Sequence, residues 1–488
     1  MFHVADWFLW PWPLGAWGFH ILLFVLVASH CLQRRREATS ALLWMVVVWS
    51  IPLIGPILYL MFGIDRVHVK GFQKHLADQR LLAARRAINQ PVAHVAISGD
   101  AFSRELNRGM DSMMPDHPLM GGNEILPLVT GDEAFPAMIA SIRKAERTIN
   151  MATFIISDDA IGRQVLDLLA EKARSGVKVR FMYDRFGSTY ALLGGMFRRY
   201  RSIKNLRIVG WTQANPLKHQ FQVNLRNHRK ILVVDGKQAF IGGINIHEEH
   251  ASRGGKLAIR DYHFSVRGPI VQELQYTFMR DWFFMTDEAP STLLGEDNFP
   301  ALESVGSCAA RVVNGGPADG IESIADVFFM AIVSAHRQVI AVTPYFVPNH
   351  DIIQAMRSAA LRGVEVKLVV PLENNHISAG FASRALYEDL LNAGVRIFER
   401  QPPFMHAKAL IVDDEFAYIG TSNLDIRSFR LDYETNLAVC NTMFAERLKR
   451  IVIDDIEQST EVKWAAWVNR PLHQRVLENL FSLLVPVL

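Results

Sequence analysis

His228-Arg-Lys-Ile-Leu-Val-Val-Asp235, followed after six residues by Gly242-Gly-Ile-Asn245, decides the fold because the chain writes it twice. The second copy is His406-Ala-Lys-Ala-Leu-Ile-Val-Asp413, six residues, then Gly420-Thr-Ser-Asn423, and it starts 178 residues after the first (406 − 228). A lone H-x-K carries no information; two copies of H-x-K-x4-D-x6-G-x-x-N with one spacing point to a duplication. Each copy opens on an apolar run of period two. His228, Lys230, Leu232 and Val234 therefore share one strand face, as do His406 and Lys408. Asp235-Gly-Lys237 and Asp413-Asp-Glu415 read as hairpin turns, and the return strand brings Asn245 or Asn423 back toward the histidine end. One half offers one imidazole, one ammonium and one amide. Pairing the halves two-fold supplies the second set.

The duplication extends outward from the motifs. Ala145-Glu-Arg-Thr-Ile149 matches Ala335-His-Arg-Gln-Val339, and each opens an apolar strand, 149–156 and 339–347. A helix follows in both halves and leads through Gly176-Val-Lys-Val-Arg180 or Gly363-Val-Glu-Val-Lys367 into strands 177–183 and 364–371. Strands alternating with helices predict an α/β domain, present twice. The expected organisation is a membrane domain over 1–65, a basic juxtamembrane linker over 66–120, and halves over 121–295 and 305–488. The joint falls near 287–305, where Asp287, Pro290, Gly295 and Pro300 cluster.

The chain has 488 residues, half of them apolar and 21 % charged, which excludes a disordered or collagen-like protein. Its 52 Lys and Arg against 49 Asp and Glu leave a net charge of +3, too balanced for a dedicated nucleic-acid binder. Cys31, Cys308 and Cys440 are too few and too scattered for a disulfide framework or a cysteine zinc site, and read as reduced thiols facing a cytosol. Mean hydropathy is +0.11, high for a soluble enzyme. The excess lies at the N-terminus. Residues 7–33 and 38–64 contain no Asp, Glu, Lys or Arg, and each run exceeds the ~20 residues a spanning helix needs. Trp7, Trp10, Trp12 and Trp17 suggest an interfacial belt. Pro52, Gly55 and Pro56 predict a break in the second run. Arg34-Arg-Arg36 and the cluster Arg66, Lys70, Lys74, Arg80, Arg85, Arg86 both pull toward the cytoplasm, which keeps the long C-terminal part on that side. Residues 66–90 read as a basic, partly amphipathic helix with Phe72, Leu76, Leu81 and Leu82 among the charges, facing either an anionic lipid surface or solvent. Residues 471–488 place Leu472, Val476, Leu480, Phe481 and Leu484 near helical spacing, for an interfacial helix or one packed on the domain.

Two lysines and two amides make a site for a phosphodiester, whose negative charge repels nucleophiles. One imidazole can attack phosphorus while the other protonates the departing oxygen. No metal or other cofactor is called for. A G-x4-GK[ST] loop and an HExxH motif are absent from the sequence, and Asp235-Gly-Lys-Gln-Ala239 departs from a D-G-x2-A-R signature at Phe240.

The two motifs resemble the HKD motifs of the phospholipase D superfamily, and the whole chain resembles its bacterial cardiolipin synthases. The second apolar run, Thr343-Pro-Tyr-Phe-Val-Pro348, Asn423-Leu-Asp-Ile-Arg-Ser428 and Arg470-Pro-Leu-His-Gln-Arg475 carry that likeness. The resemblance implies an α/β fold: two phospholipase-D-like domains with mixed sheets flanked by helices, related by a pseudo-two-fold axis, behind two transmembrane or membrane-embedded helices. It implies a multi-pass protein of the bacterial inner membrane, with its catalytic part on the cytoplasmic side. The implied reaction condenses two phosphatidylglycerol molecules into cardiolipin and glycerol through a phospho-histidine. His228, Lys230 and Asp235 with His406, Lys408 and Asp413 form the implied catalytic set, His228 as nucleophile and His406 as general acid and base. The two aspartates fit better as structural corners. Asn245 and Asn423 would hold the phosphate, and Asp261 and Glu434 would orient the histidines. Gly243 and Thr421 stand where many relatives have Ser. The implied partners are phosphatidylglycerol and anionic membrane lipid, without nucleic acid. A hydrolase or phosphatidylserine synthase of the same fold, an idle lipid-binding protein and a nuclease stay open as alternatives.

Overall fold

The computed structural model describes residues 14–33, 38–60, 67–87, 101–211, 225–251, 258–286, 288–317 and 323–483. Trp7, Trp10, Trp12, Arg34-Arg-Arg36, residues 61–64, Arg66, Asp287 and Leu484 lie outside them. The chain forms two compact units, Met1–His68 and Val69–Leu488.

In the first unit, helices α1 (Leu14–Gln33), α2 (Ala38–Ser50) and α3 (Ile54–Leu58) enclose a small core of Val27, Cys31, Ala41, Val48 and Tyr59. The second apolar run breaks at Pro52, as its prolines predict. Gly55 lets α3 fold back on α2, since a Cβ there would sit 2.6 Å from the Val47 carbonyl oxygen. Polar groups turn inward: His20 bonds the Trp49 carbonyl at 3.2 Å and His30 the Tyr59 hydroxyl at 2.5 Å. Phe19, Leu22, Leu26, Leu43, Val46 and Ile54 are exposed. Of the two expected transmembrane or membrane-embedded helices, the second run is divided into the short helices α2 and α3. A 13-residue α2 is about 20 Å long, against a hydrocarbon core of about 30 Å. Among the described residues no helix is long and apolar enough to cross a membrane.

The first half of the second unit supplies strands β1 (Met120–Val129), β2 (Thr148–Thr153), β3 (Lys178–Asp184), β4 (Leu206–Trp211), β5 (Arg226–Asn227), β6 (Ile231–Val234), β7 (Gln238–Gly242), β8 (Ile259–Arg260) and β9 (Tyr262–Arg267). The second supplies β10 (Cys308–Gly315), β11 (Gln338–Val342), β12 (Phe346–Val347), β13 (Glu365–Pro371), β14 (Arg396–Arg400), β15 (Phe404–Met405), β16 (Ala409–Val412), β17 (Phe416–Gly420), β18 (Leu424–Asp425), β19 (Asp432–Cys440) and β20 (Ser459–Val462). One mixed sheet runs β20-β14-β13-β11-β16-β17-β19-β10-β1-β9-β7-β6-β2-β3-β4. Its centre is the antiparallel β10–β1 seam, and the order outward is the same on both sides apart from the terminal β20. β2-β3-β4 and β11-β13-β14 are parallel, as βαβ units require, while β6, β7 and β9, like β16, β17 and β19, are antiparallel.

Both motif strands end in tight hairpins. Asp235 and Gly236 have φ of 51° and 62°, and Asp413 and Asp414 have 53° and 61°, so both central residues of each turn are left-handed. The two aspartates, which the sequence also fits as structural corners, bind backbone there. Asp235 accepts the backbone N–H groups of Glu146, Arg147 and Thr148 at 2.7–2.9 Å, and Asp413 those of His336, Arg337 and Gln338 at 2.7–2.9 Å. Each carboxylate pins the hairpin to the start of the neighbouring antiparallel strand, β2 or β11. It lies seven residues, about 20 Å along a strand, from its histidine. Asp235→Ala and Asp413→Ala are expected to lose about 2–4 kcal/mol of stability by chemical denaturation, with kcat of the folded protein retained.

Candidate active site

The halves exchange backbone as well as a seam. β5 pairs in parallel with β19, with Arg226 opposite Asp432 and Asn227 opposite Tyr433. The next step of that register sets His228 against Glu434: the His228 N–H bonds the Tyr433 carbonyl at 3.0 Å, and His228 Nδ1 lies 2.9 Å from Glu434 Oε1. β15 pairs in the same way with β8, Phe404 opposite Ile259 and Met405 opposite Arg260. There the His406 N–H bonds the Arg260 carbonyl at 2.7 Å, and His406 Nδ1 lies 2.7 Å from Asp261 Oδ2. Each histidine is thus held by the carboxylate of the other half.

The two histidines line one cavity of about 480 Å3, with Phe154, Phe186, Arg226, Tyr345, His376, Phe404, Asp425, Arg427 and Asp432. His228, His406, Asn245 and Asn423 all reach it. Lys230 Nζ donates to the His228 carbonyl at 2.8 Å, and Lys408 Nζ to the His406 carbonyl at 2.5 Å while lying within 3.0 Å of the His406 ring nitrogens. Asn245 Oδ1 accepts the Ile155 N–H at 3.1 Å, which reserves its NH2 group as the donor end. Asn423 instead gives its NH2 to Asp425 at 3.0 Å. The edge of Phe154 backs His228 at 4.9 Å between ring centroids, and Tyr345 stands 6.3 Å from His406 in the same role.

Burial sets the protonation of the site. Desolvation, with Lys230 and Lys408 adding to it, holds both imidazoles well below their ordinary value. They are neutral. Since each Nδ1 faces a carboxylate, its proton sits there and the Nε2 lone pair is left for chemistry. Desolvation also brings Lys230 down to about 7 and Lys408 to about 8, and lifts Glu434 to about 7 and Asp261 above its ordinary value. A site whose ammonium groups are this reluctant to stay charged asks for an anion.

Comparisons with known proteins identify the family. A family model described as "Cardiolipin synthase, PLD-like domain" matches residues 138–282 and 329–456, and one described as "Phospholipase_D-nuclease N-terminal" matches 22–63. The chain is 33 % identical over 476 residues to a cardiolipin synthase of Geobacillus kaustophilus, covering 96 % of this chain and 92 % of that protein. It is 35 % identical over 472 residues to cardiolipin synthase A of Pseudomonas entomophila, covering 96 % of each. The chain belongs to the cardiolipin synthase family of phospholipase-D-like proteins. Its fold is also that of a phosphatidylserine synthase of Haemophilus influenzae, with a TM-score of 0.59 over 78 % of this chain and 98 % of that one, at 14 % identity.

Gly243 and Thr421, the equivalent positions of the two motifs, have opposite consequences. The Thr421 hydroxyl still donates to Glu434, and Ser428 Oγ adds a second bond to it at 2.9 Å. Gly243 leaves Asp261 without such a hydroxyl, and a Cβ there would fall 2.1 Å from Asp261 Oδ1. Sequence reasoning missed Ser428 as a ligand of Glu434 although it stands in a stretch quoted for the family likeness. It also missed Arg229, which lies between the histidine and lysine of the first motif. Arg229 bonds Asp281 at 2.5 Å and the Glu434 carbonyl at 3.1 Å, and Asn227 bonds Asp281 at 2.8 Å.

The same Asp281 reaches helix α4 (Val67–Ala87), which forms where a basic helix is expected but turns Lys74, Leu81 and Arg85 inward. Gly71, Lys74, Asp78, Leu81 and Arg85 form the buried stripe, while Phe72 and Leu76 are exposed. Lys74 bridges Asp78 at 2.9 Å and Asp281 at 3.1 Å, Arg280 bonds Asp78 at 2.5 Å, and Arg85 bonds Glu273 at 2.5 Å. Burial alone would raise both acids, but Arg229 and Lys74 outweigh it at Asp281, and His117 with Arg85 holds Glu273 down to about 2.

Because the free lysines titrate near 7 and 8, an anion that restores their charge must take up protons above that range. Calorimetry of a phosphodiester analogue in buffers of different ionisation enthalpy at pH 9 is expected to show net proton uptake. Lys230→Met or Lys408→Met should remove roughly one proton of it.

Proposed function

We propose that this protein moves a phosphatidyl group from one phosphatidylglycerol to another, releasing glycerol and forming cardiolipin, through a covalent bond to His228. The observation that carries the reading is the crossed pair of histidine–carboxylate contacts, with both imidazoles at one cavity and a buried lysine beside each. Full-length likeness to proteins named cardiolipin synthase supports the choice of lipid.

In the first step His228 Nε2 forms a bond to phosphorus as the bond to the glycerol oxygen breaks. The bound anion favours the imidazolium at His406, which gives its Nε2 proton to the departing glycerol. In the second step a hydroxyl of the incoming phosphatidylglycerol attacks phosphorus, His406 takes its proton, and the phosphorus–nitrogen bond breaks. Lys230, Lys408 and the Asn245 amide hold the phosphoryl oxygens throughout. Glu434 keeps the Nδ1 proton of His228 in place, so Nε2 remains the attacking atom.

A membrane surface is the natural place for this work. The first unit exposes Leu22, Val25, Leu26, Leu43, Val46, Ile54 and Ile57, more apolar surface than a soluble helical hairpin shows to water. The helix Leu472–Ser482 turns Leu472, Val476 and Leu480 outward. It packs on the helix Ile377–Ala385 through Phe481 and Phe381, whose rings stack at 5.3 Å, and the latter helix brings Ser378 and Ala379 to the cavity. An apolar stripe beside the cavity suits a lipid entering from a bilayer.

Mass spectrometry of the full chain with phosphatidylglycerol as sole lipid is expected to find cardiolipin and free glycerol. Phosphatidic acid as the main product would make the protein a hydrolase, and product formed only with added serine would make it a phosphatidylserine synthase.

Acid-quench mapping with a nitrophenyl phosphodiester donor is expected to label His228 in the wild type and nothing in His228→Ala. His406→Ala should still be labelled, because a phenolate leaves without a proton, and should turn over slowly. Label on His406 in His228→Ala would exchange the roles.

A further inference from the structure

The two carboxylates that hold the histidines are not equivalently supported, and the difference centres on His250. In the second half the Asn423 N–H bonds Ser428 Oγ at 3.1 Å, and Ser428 Oγ donates to Glu434 at 2.9 Å. In the first half the Asn245 N–H bonds His250 Nε2 at 3.4 Å, five residues on as in the other half, and His250 Nδ1 lies 3.7 Å from Asp261 Oδ2. An imidazole thus stands where the pseudo-symmetric position has a hydroxyl.

Its tautomer follows from that backbone bond. Nε2 receives an N–H and must present its lone pair, so the single proton of the neutral ring is on Nδ1, on the Asp261 side. Burial holds this imidazole well below its ordinary value, which keeps it neutral. The ring is buried, and Nδ1 has no hydrogen-bond partner among the described residues. An unmet buried donor is costly, so a short closure onto Asp261 is favoured. Asp261 Oδ2 is the oxygen that His406 Nδ1 already holds at 2.7 Å, and the two imidazole centroids are 6.0 Å apart. The other Asp261 oxygen takes the Tyr262 N–H at 2.7 Å.

We propose that His250 is a positioning residue for His406, donating from Nδ1 to the shared Asp261 carboxylate so that Asp261 stays ionised and keeps the His406 proton on Nδ1. Gly243 offers Asp261 no hydroxyl and leaves no room for one, so the imidazole takes over what Thr421 and Ser428 do for Glu434. The charged and titratable groups acting on His250 are Asp261, His406, His247 and Lys408. On the elements packed against its turn, Glu133 bonds the Val129 N–H, Arg163 bonds Asp158 and Arg260 bonds Asp455. The inference rests on His406 being the acid and base of the proposed reaction.

Two variants of the full chain separate the ring's two ends. His250→Asn places an amide near Nδ1 and keeps a donor for Asp261; His250→Gln places its amide near Nε2 and keeps the contact with Asn245 instead. Losing the donor raises the Asp261 pKa, so activity fails at a higher pH. In cardiolipin formation from phosphatidylglycerol vesicles, the acidic limb of kcat/KM is expected to move up by about one pH unit in His250→Gln and to stay near wild type in His250→Asn. With the nitrophenyl donor, His250→Gln should label His228 at close to the wild-type rate and turn over slowly. A limb unmoved in His250→Gln, or moved alike in both variants, overturns the inference even when the wild type labels on His228. Absence of that label in the wild type overturns the reaction proposed for the site, and this inference with it.

Discussion

The contact between each imidazole and a carboxylate from the opposite half governs the rest of the structure. His228 meets Glu434 and His406 meets Asp261, so neither half owns a complete pair. The sheet is built to allow this. The β10–β1 seam joins the halves, and the two-residue strands β5 and β15 cross from their own sheet edge to lie along β19 and β8. Because a parallel register advances both chains together, pairing the residues before each histidine fixes the histidine against the carboxylate. A slip of one residue would turn both side chains to the wrong face.

That arrangement concentrates charge in a dry place. Two buried lysines and two buried carboxylates stand beside the two neutral imidazoles that line the cavity, and each ionised group is there against its hydration energy. The lysines are depressed and the carboxylates raised for one reason, desolvation, and a phosphodiester relieves the lysines directly. Stability at the site is thus deferred until substrate arrives, which is how a binding site differs from a structural ion pair such as Arg85–Glu273.

Much of this was legible in the sequence, because the informative residues sat in repeats whose spacing could be checked against itself. The duplication, the hairpins after Asp235 and Asp413, the break at Pro52, and the gathering of His228, His406, Asn245 and Asn423 at one cavity all follow from period and turn chemistry. The crossing of Glu434 and Asp261 between halves did not follow, since a spacing says which residues lie near a strand end and not which sheet edge that end will meet. Helix α4 was misread because its buried stripe at 71, 74, 78, 81 and 85 is largely charged. Hydrophobic periodicity finds a buried face only when the partner surface is apolar, and here the partner helix Val271–Met285 presents Glu273 and Asp281.

The Lys74–Asp281 contact has a consequence for how the protein can be divided. β1 is the first strand of the duplicated fold, and every residue assigned to the cavity follows it. A chain cut to begin there would keep the whole cavity and lose the cation that Asp281 shares with Arg229. Removing one partner of a buried pair costs about 3–5 kcal/mol, much of the 5–15 kcal/mol by which a typical domain is stable. Asp281 also steadies Asn227, the residue before His228. From Val69 on, α4 therefore travels with the body, and a recombined protein must place its crossover ahead of Val69 to keep the Lys74–Asp281 contact.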